Sequence, residues 1–176
     1  GMLTQTAITG ALMQMVSHGL MTALFFAVIG MIYDRTHTRM VNEMGGLMKM
    51  MPFITTVFFI VGLCSLGLPG LSGFVAEMTV FMGSWENDNT FHRIATIAAA
   101  MSIVVTAVYI LRAIGNTAMG PVKNERYLQL KDANWNEKLA AILLVIGILA
   151  IGIAPGWLND LLRPAAEEIM NKIAGK

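Results

Sequence analysis

The chain has 176 residues, of which 56% are apolar and 13% charged, with a mean hydropathy of +0.64, and this takes it outside the range of solvated globular domains. A net charge of +1, with no basic run interleaved with aromatics, excludes nucleic acid as a partner. The charges are also clustered: none falls in 1–33, 50–76, 78–85, 94–111 or 139–159, stretches that together hold 107 residues. Runs of that length reach the ~20 apolar residues needed to cross a bilayer core of ~30 Å, so the sequence describes an all-α integral membrane protein.

Soluble chemistry is absent from the pattern. Cys64 lies inside an apolar run with no CxxC or Cys/His neighbour, so it reads as a small packing residue and not as a redox or metal centre. The fifteen methionines are spread through the apolar runs as flexible packing side chains, and no metal site is expected. Dinucleotide fingerprint, phosphate loop, HExxH and GxSxG are all missing, so no catalytic or cofactor-binding residue is assigned. Gly1-Met2-Leu3 is neither an initiator methionine nor a signal-peptide start, which leads to the expectation of a piece that begins mid-protein.

Residues 1–12 read as the end of a preceding loop or helix, and 13–33 as span A, ~31 Å of helix stopped by Asp34-Arg35. A loop over 34–49 follows. The stretch 50–85 has Glu77 as its one formal charge and would measure ~54 Å as a continuous helix, too long for a straight crossing. Near its middle, Leu66-Gly67-Leu68-Pro69-Gly70-Leu71-Ser72-Gly73 removes an amide donor and the steric preference for helix, so Gly67, Pro69, Gly70 and Gly73 predict a break. Two readings are open for span B: a re-entrant hairpin of two short helices, or one discontinuous crossing. Either requires burial in a bundle, because broken backbone in a bilayer must be covered by protein or by a wet cavity. A loop over 86–93 leads to span C, 94–112, then a loop over 113–138 and span D, 139–158. Residues 159–176 alternate apolar and charged positions at helical steps, with Pro164 suited to a first turn, and predict an amphipathic helix along the membrane interface.

If span B crosses once, the loops after A and C share a side with Arg35, Arg39, Lys49, Arg112, Lys123, Arg126, Lys131 and Lys138, against Arg93, Arg163, Lys172 and Lys176 on the other. A re-entrant span B would leave the two basic loops on opposite faces, so the bias favours the single broken crossing, and it places the first set in the cytoplasm and the C-terminus outside.

Glu77 is the sharpest signal, since a carboxylate in hydrocarbon is unfavourable by several kcal/mol and such groups line water paths or meet partners. Burial favours its neutral form, which makes reversible protonation accessible; the alternative is a structural hydrogen bond to the broken backbone. His18 is the one imidazole of span A, a group suited to proton exchange, or else a hydrogen-bonded packing residue. Counting from Tyr33 and Trp85, both fall in the same half of the bilayer, and a shared wet pocket is the expectation. Ser17, Ser72, Thr22 and Thr79 could bond to water or to a neighbouring helix. His37 and His92 fall in loops and read as solvated.

Gly10-Ala11-Leu12, Gln14-Met15-Val16-Ser17-His18-Gly19-Leu20, Ala23-Leu24-Phe25-Phe26, Tyr33-Asp34-Arg35-Thr36-His37-Thr38-Arg39, Gly45-Gly46-Leu47, Met51-Pro52 and the 66–74 run with Glu77 resemble the antiporter-type membrane subunits of respiratory complex I. These motifs cover roughly residues 10–85; spans C and D match mainly in pattern. The resemblance implies a fourteen-helix bundle with two inverted five-helix repeats, in which A to D are the last four helices and B the discontinuous helix of the second repeat. It implies that Glu77 is the ionisable residue of the broken helix, a glutamate in the M-type branch where L and N types usually have lysine, and that His18 belongs to the hydrophilic axis that relays protons. It further implies location in the bacterial inner membrane, the other membrane subunits of the respiratory complex and the lipid bilayer as partners, and no cofactor in this chain: NADH, FMN, iron–sulfur clusters and quinone belong to other subunits. On this reading the chain is the C-terminal part of a proton-translocating subunit of a NADH-quinone oxidoreductase, coupled to quinone reduction elsewhere. The rivals are a subunit of a multi-subunit cation/proton antiporter and a structural membrane subunit that transports nothing.

Overall fold

The structure, a computed structural model, describes residues 4–86 and 88–173. The first three residues of the leading segment 1–12, Asn87 in the loop 86–93, and the last three residues of 159–176, Lys176 included, lie outside the described residues. The described residues form six α-helices and two short 3-10 turns, with no strand among them: α1 (Gln5–Thr36), α2 (Pro52–Ser65), α3 (Ser72–Trp85), α4 (Thr90–Ala118), α5 (Trp135–Ile153) and α6 (Gly156–Ile173). Three of them, α1, α4 and α5, are long and apolar enough to cross a membrane, while α2 is equally apolar but only 14 residues long.

Local chemistry sets each boundary. Thr4, extended, accepts a hydrogen bond from Ala7 N at 3.1 Å and starts α1; His37, in the left-handed region at φ 56°, ends it. Pro52 occupies the first turn of α2, where a missing amide hydrogen costs nothing. The other orphan amides of that turn are taken from a distance, since Asp132 accepts from Phe53 N at 2.8 Å and Ile54 N at 3.2 Å. Asn134 and Glu137 form a reciprocal capping box at the start of α5. Helix α6 begins directly after Pro155, so Pro164 lies in its interior and not in a first turn. Pro164 is exposed, so its ring lies on the outer face of the helix.

Helices α1 and α3 pack antiparallel, and small residues let them approach closely. A Cβ at Gly10 would lie 2.7 Å from Val80 N, and one at Gly83 would run into the backbone of Ala7. Thr4 Oγ1 donates to Gly83 O at 2.7 Å at one end of this contact, and Ser17 Oγ to Ser72 Oγ at 2.8 Å at the other. Helix α2 starts beside the opposite end of α1, where Asp132 meets both the α2 N-terminus and Arg35. Helices α2 and α3 therefore follow one direction along α1, and the two halves do not fold back on each other as a hairpin.

The main core joins Leu24 and Val28 of α1 to Ile54 and Val61 of α2, Ile114 of α4 and Ile148 of α5, all within 1% of full burial. A smaller core of Met13, Ala76, Ile151 and Leu158 ties α1, α3, α5 and α6 together. Helix α6 lies beside the first turns of α1, with Gln5 Nε2 donating to Glu167 Oε1 at 2.9 Å. The outer face of α4, from Ile97 and Met101 through Val104, Val105 and Val108, is apolar and uncovered.

Candidate functional site

The interruption between α2 and α3 is a defined turn. Gly67 takes φ +64°, its amide donates to Cys64 O at 3.1 Å, and Leu68 N donates to Leu63 O at 3.2 Å, the hydrogen-bond pattern of a Schellman cap with Gly67 as the left-handed residue. Pro69 follows, and Gly70, at φ +92°, turns the chain into α3. Gly73 sits against Cys64 O, so the first turn of α3 lies on the last turn of α2. Helix α5 closes the far side, with Gly152 packed on the carbonyl of Gly70.

Glu77 belongs to this turn. Its half-buried carboxylate reaches back from α3 to Gly67, where an added Cβ would lie 2.5 Å from Glu77 Oε2. Gly67 thus does two things at once: it supplies the left-handed backbone that ends α2, and it leaves the space the carboxylate fills. Glu77 makes no hydrogen bond or ion pair with another described residue, so its oxygens remain available as acceptors or, when protonated, as a donor.

Polar groups flank the break. Ser72 Oγ receives the Ser17 hydroxyl and lies 3.6 Å from Cys64 Sγ, all three buried, while Ser65 Oγ donates to Gly62 O at 2.8 Å. Ser17 and Ser72 therefore join two helices. Thr22 and Thr79 bond within their own helices, to His18 O and Val75 O. Gln14, not singled out from the sequence, places Oε1 in a buried position with no partner among the described residues. The signal that marks it is its status as the single amide side chain in the apolar stretch from Thr6 to Tyr33.

His18 stands apart from Glu77. Ser17 faces the break, and His18, a step of ~100° around the helix, is exposed. The antiparallel register that pairs Ser17 with Ser72 and Gly10 with Val80 brings Glu77 level with about Met13, five residues or about 8 Å along α1 from His18. The two lie in the same part of the bundle but present different faces, and no hydrogen bond joins them. His37 is exposed at the end of α1; His92 is half-buried, its Nδ1 without a partner among the described residues.

Residues 1–106 match the family described as NADH:quinone oxidoreductase/Mrp antiporter, TM. The chain belongs to this family. It is similar to NAD(P)H-quinone oxidoreductase chain 4 2 of Synechococcus sp. (strain JA-3-3Ab), with 39% identity over 92% of this chain and 31% of the relative. It is also similar to NADH-quinone oxidoreductase subunit M of Rickettsia felis, at 31% identity over 96% of this chain and 34% of that protein. The chain therefore spans about a third of the length of the curated relatives it matches. Among solved structures it resembles a chain in respiratory complex I from Thermus thermophilus with bound NADH, with TM-score 0.82, 27% identity, and coverage of 95% of this chain and 34% of the other. A chain of the Mrp complex from Dietzia sp. DQ12-45-1b shares the fold with TM-score 0.85 at 18% identity, over 97% and 39% of the two chains. Membership of the NADH:quinone oxidoreductase/Mrp antiporter family, together with the apolar helices, makes this a multi-pass membrane protein with an antiporter-like fold.

Proposed function

We propose that the chain is the C-terminal part of a proton-translocating membrane subunit of a NADH-quinone oxidoreductase, and that Glu77 is its proton-carrying group. The observation that carries the proposal is the seat of the Glu77 carboxylate on Gly67, inside an interrupted helix that runs among apolar helices. Unwound backbone supplies carbonyls and amides that can hold water, and a carboxylate resting on it can exchange a proton where continuous helix would leave it in hydrocarbon. The names of the relatives, quinone oxidoreductase chain 4 and subunit M, support the coupling to quinone reduction, which this reading assigns to other subunits along with NADH, FMN and iron–sulfur clusters.

On this reading α1, the α2–α3 pair, α4 and α5 are four membrane crossings, the last four of a fourteen-helix bundle, with boundaries near 13–33, 50–85, 94–112 and 139–158. The end that carries Arg35, Arg39, Lys123 and Lys131 faces the cytoplasm, and α6 with the C-terminus lies at the outer face of a bacterial inner membrane. His18, exposed on α1, hands protons to Glu77 through water or through groups outside this chain, and the orphaned Gln14 carbonyl near the level of Glu77 is a point that holds such a water. The partners are the other membrane subunits of the respiratory complex and the lipid.

The test is proton translocation per electron in proteoliposomes containing the whole complex, wild type against Glu77→Gln and Glu77→Asp. The expected result is a fall with Gln and partial recovery with Asp at unchanged assembly. Unchanged stoichiometry with Gln overturns the role. A cation/proton antiporter subunit, the second reading, is favoured by the family description and by the fold shared with the Mrp complex; it predicts sodium-dependent transport without electron flow from NADH.

A further inference from the structure

A cleft of about 340 Å³ opens between α1, α2 and α4 at the end where α1 stops, away from Glu77 and the helix break. Phe25 and Phe58 form its floor in an edge-to-face pair with ring centroids 5.7 Å apart. Ile29 of α1 and Ile110 and Ile114 of α4 form the walls, so the cleft is apolar for the ~12 Å of α1 between Phe25 and Tyr33. Its rim has a different character: the Arg39 guanidinium lies over the Tyr33 ring, 4.7 Å from the centroid.

Arg39 is exposed and makes no ion pair with the described residues; the same holds for Arg112, in the turn of α4 that contributes Ala113 to the lining. No ion pair links either to the neighbouring acids: Glu43 accepts the Thr38 hydroxyl at 2.5 Å, and Asp34 pairs with no described cation. An aromatic ring and a guanidinium at the end of a membrane helix mark the level of lipid headgroups, where aromatic and basic side chains collect.

We propose that this cleft binds an anionic glycerophospholipid, one acyl chain lying between α1 and α4 against Phe25 and Phe58 and the phosphate at Arg39. Apolar walls below and an unpaired guanidinium above match the two ends of such a molecule, and Arg presents a planar fork suited to phosphate oxygens. The proposal stands on the membrane character of the chain and is independent of the role of Glu77.

The experiment uses the full-length subunit in its complex, in phosphatidylcholine vesicles doped with phosphatidylglycerol that bears a diazirine on one acyl chain. Photolabelling is expected on the peptides that carry Phe25 to Tyr33 and Tyr109 to Thr117. Arg39→Gln should lower that labelling about fivefold, the gain one basic residue provides at an anionic surface. Ala113→Trp, which fills the cleft, should abolish it. The wild-type complex supplies a comparison that needs no variant: a zwitterionic phosphatidylcholine carrying the same diazirine should label these peptides several-fold less. Equal labelling by the two probes would identify ordinary boundary lipid and overturn the proposal. So would labelling unchanged in Arg39→Gln, or cross-linking of a cysteine at Ala113 to another protein segment, which would show the cleft covered by protein.

Discussion

Gly67 and Gly70 separate two effects that glycines in a helix break usually combine. Both have positive φ, +64° and +92°, but a Cβ at Gly67 would meet the Glu77 carboxylate whereas one at Gly70 would meet open space. Alanine at either should cost about 1–2 kcal/mol of backbone strain. Gly67→Ala should in addition displace Glu77, so it should depress proton translocation by the assembled complex well beyond Gly70→Ala; equal loss in the two would mean that the contact with the carboxylate has no functional weight. Glu77 stands out in the sequence because it is the exception in a run of apolar residues, and exceptions of that kind need no structure to be seen. That its carboxylate rests on a glycine ten positions earlier depends on the Schellman turn, which the residue pattern does not specify. The exposure of His18 was equally hidden, since the depth of a residue along a helix says nothing of which face it occupies.

Among the elements, the turn and loop before α5 act as a clamp on the starts and ends of three helices. Arg35, at the end of α1, donates to Met31 O and Lys131 O at 2.9 and 2.7 Å and meets Glu137 of α5 at 2.6 Å, with side-chain exposures of 12% and 25%. Arg35→Lys cannot reproduce this fork and should lower stability by about 1–2 kcal/mol, measured as a fall in the denaturation midpoint of the purified protein. Glu137 lies in the polar first turn of α5, ahead of the apolar run, where the hydrogen bond from Arg35 above all, and then the amide of Asn134, hold its carboxyl below the usual carboxylate range. A depressed folded-state pKa means that the unfolded chain binds the proton more readily. The stabilisation is therefore complete above the ordinary value of ~4.3 and is lost as pH falls through the lower folded-state value. Wild type should be more stable than Glu137→Gln near neutral pH and should converge on it in acid; a constant difference across that range would rule out this coupling. Asp132→Ala should uncap α2 at a cost of about 1 kcal/mol, visible as faster amide exchange at Phe53 and Ile54.

For the molecule as a whole, the most extensive helix pairing is that of α1 with α3, brought close by Gly10 and Gly83. Leucine at Gly10 or Gly83 has no space without separating the helices and should abolish assembly, whereas leucine at Gly115, with nothing within 4 Å, should be tolerated; native electrophoresis of the complex distinguishes the two. The helical class and the apolar character were legible from charge clustering over the five charge-free runs, because a bilayer permits so few backbone solutions. The direction of α2 and α3 along α1 was legible only through the loop charges and the family resemblance, which favour a single crossing, because a glycine and proline break by itself is compatible with either reversal or continuation; contacts at both ends, Asp132 with Phe53 and Thr4 with Gly83, decide it. The central claim is that Glu77 changes its protonation state as the intact complex works. Redox-triggered infrared difference spectra of wild type and Glu77→Gln in proteoliposomes test it most directly. A carboxyl band that appears on turnover, shifts in deuterated water and is missing from Glu77→Gln is the predicted result; identical difference spectra from the two proteins would contradict it.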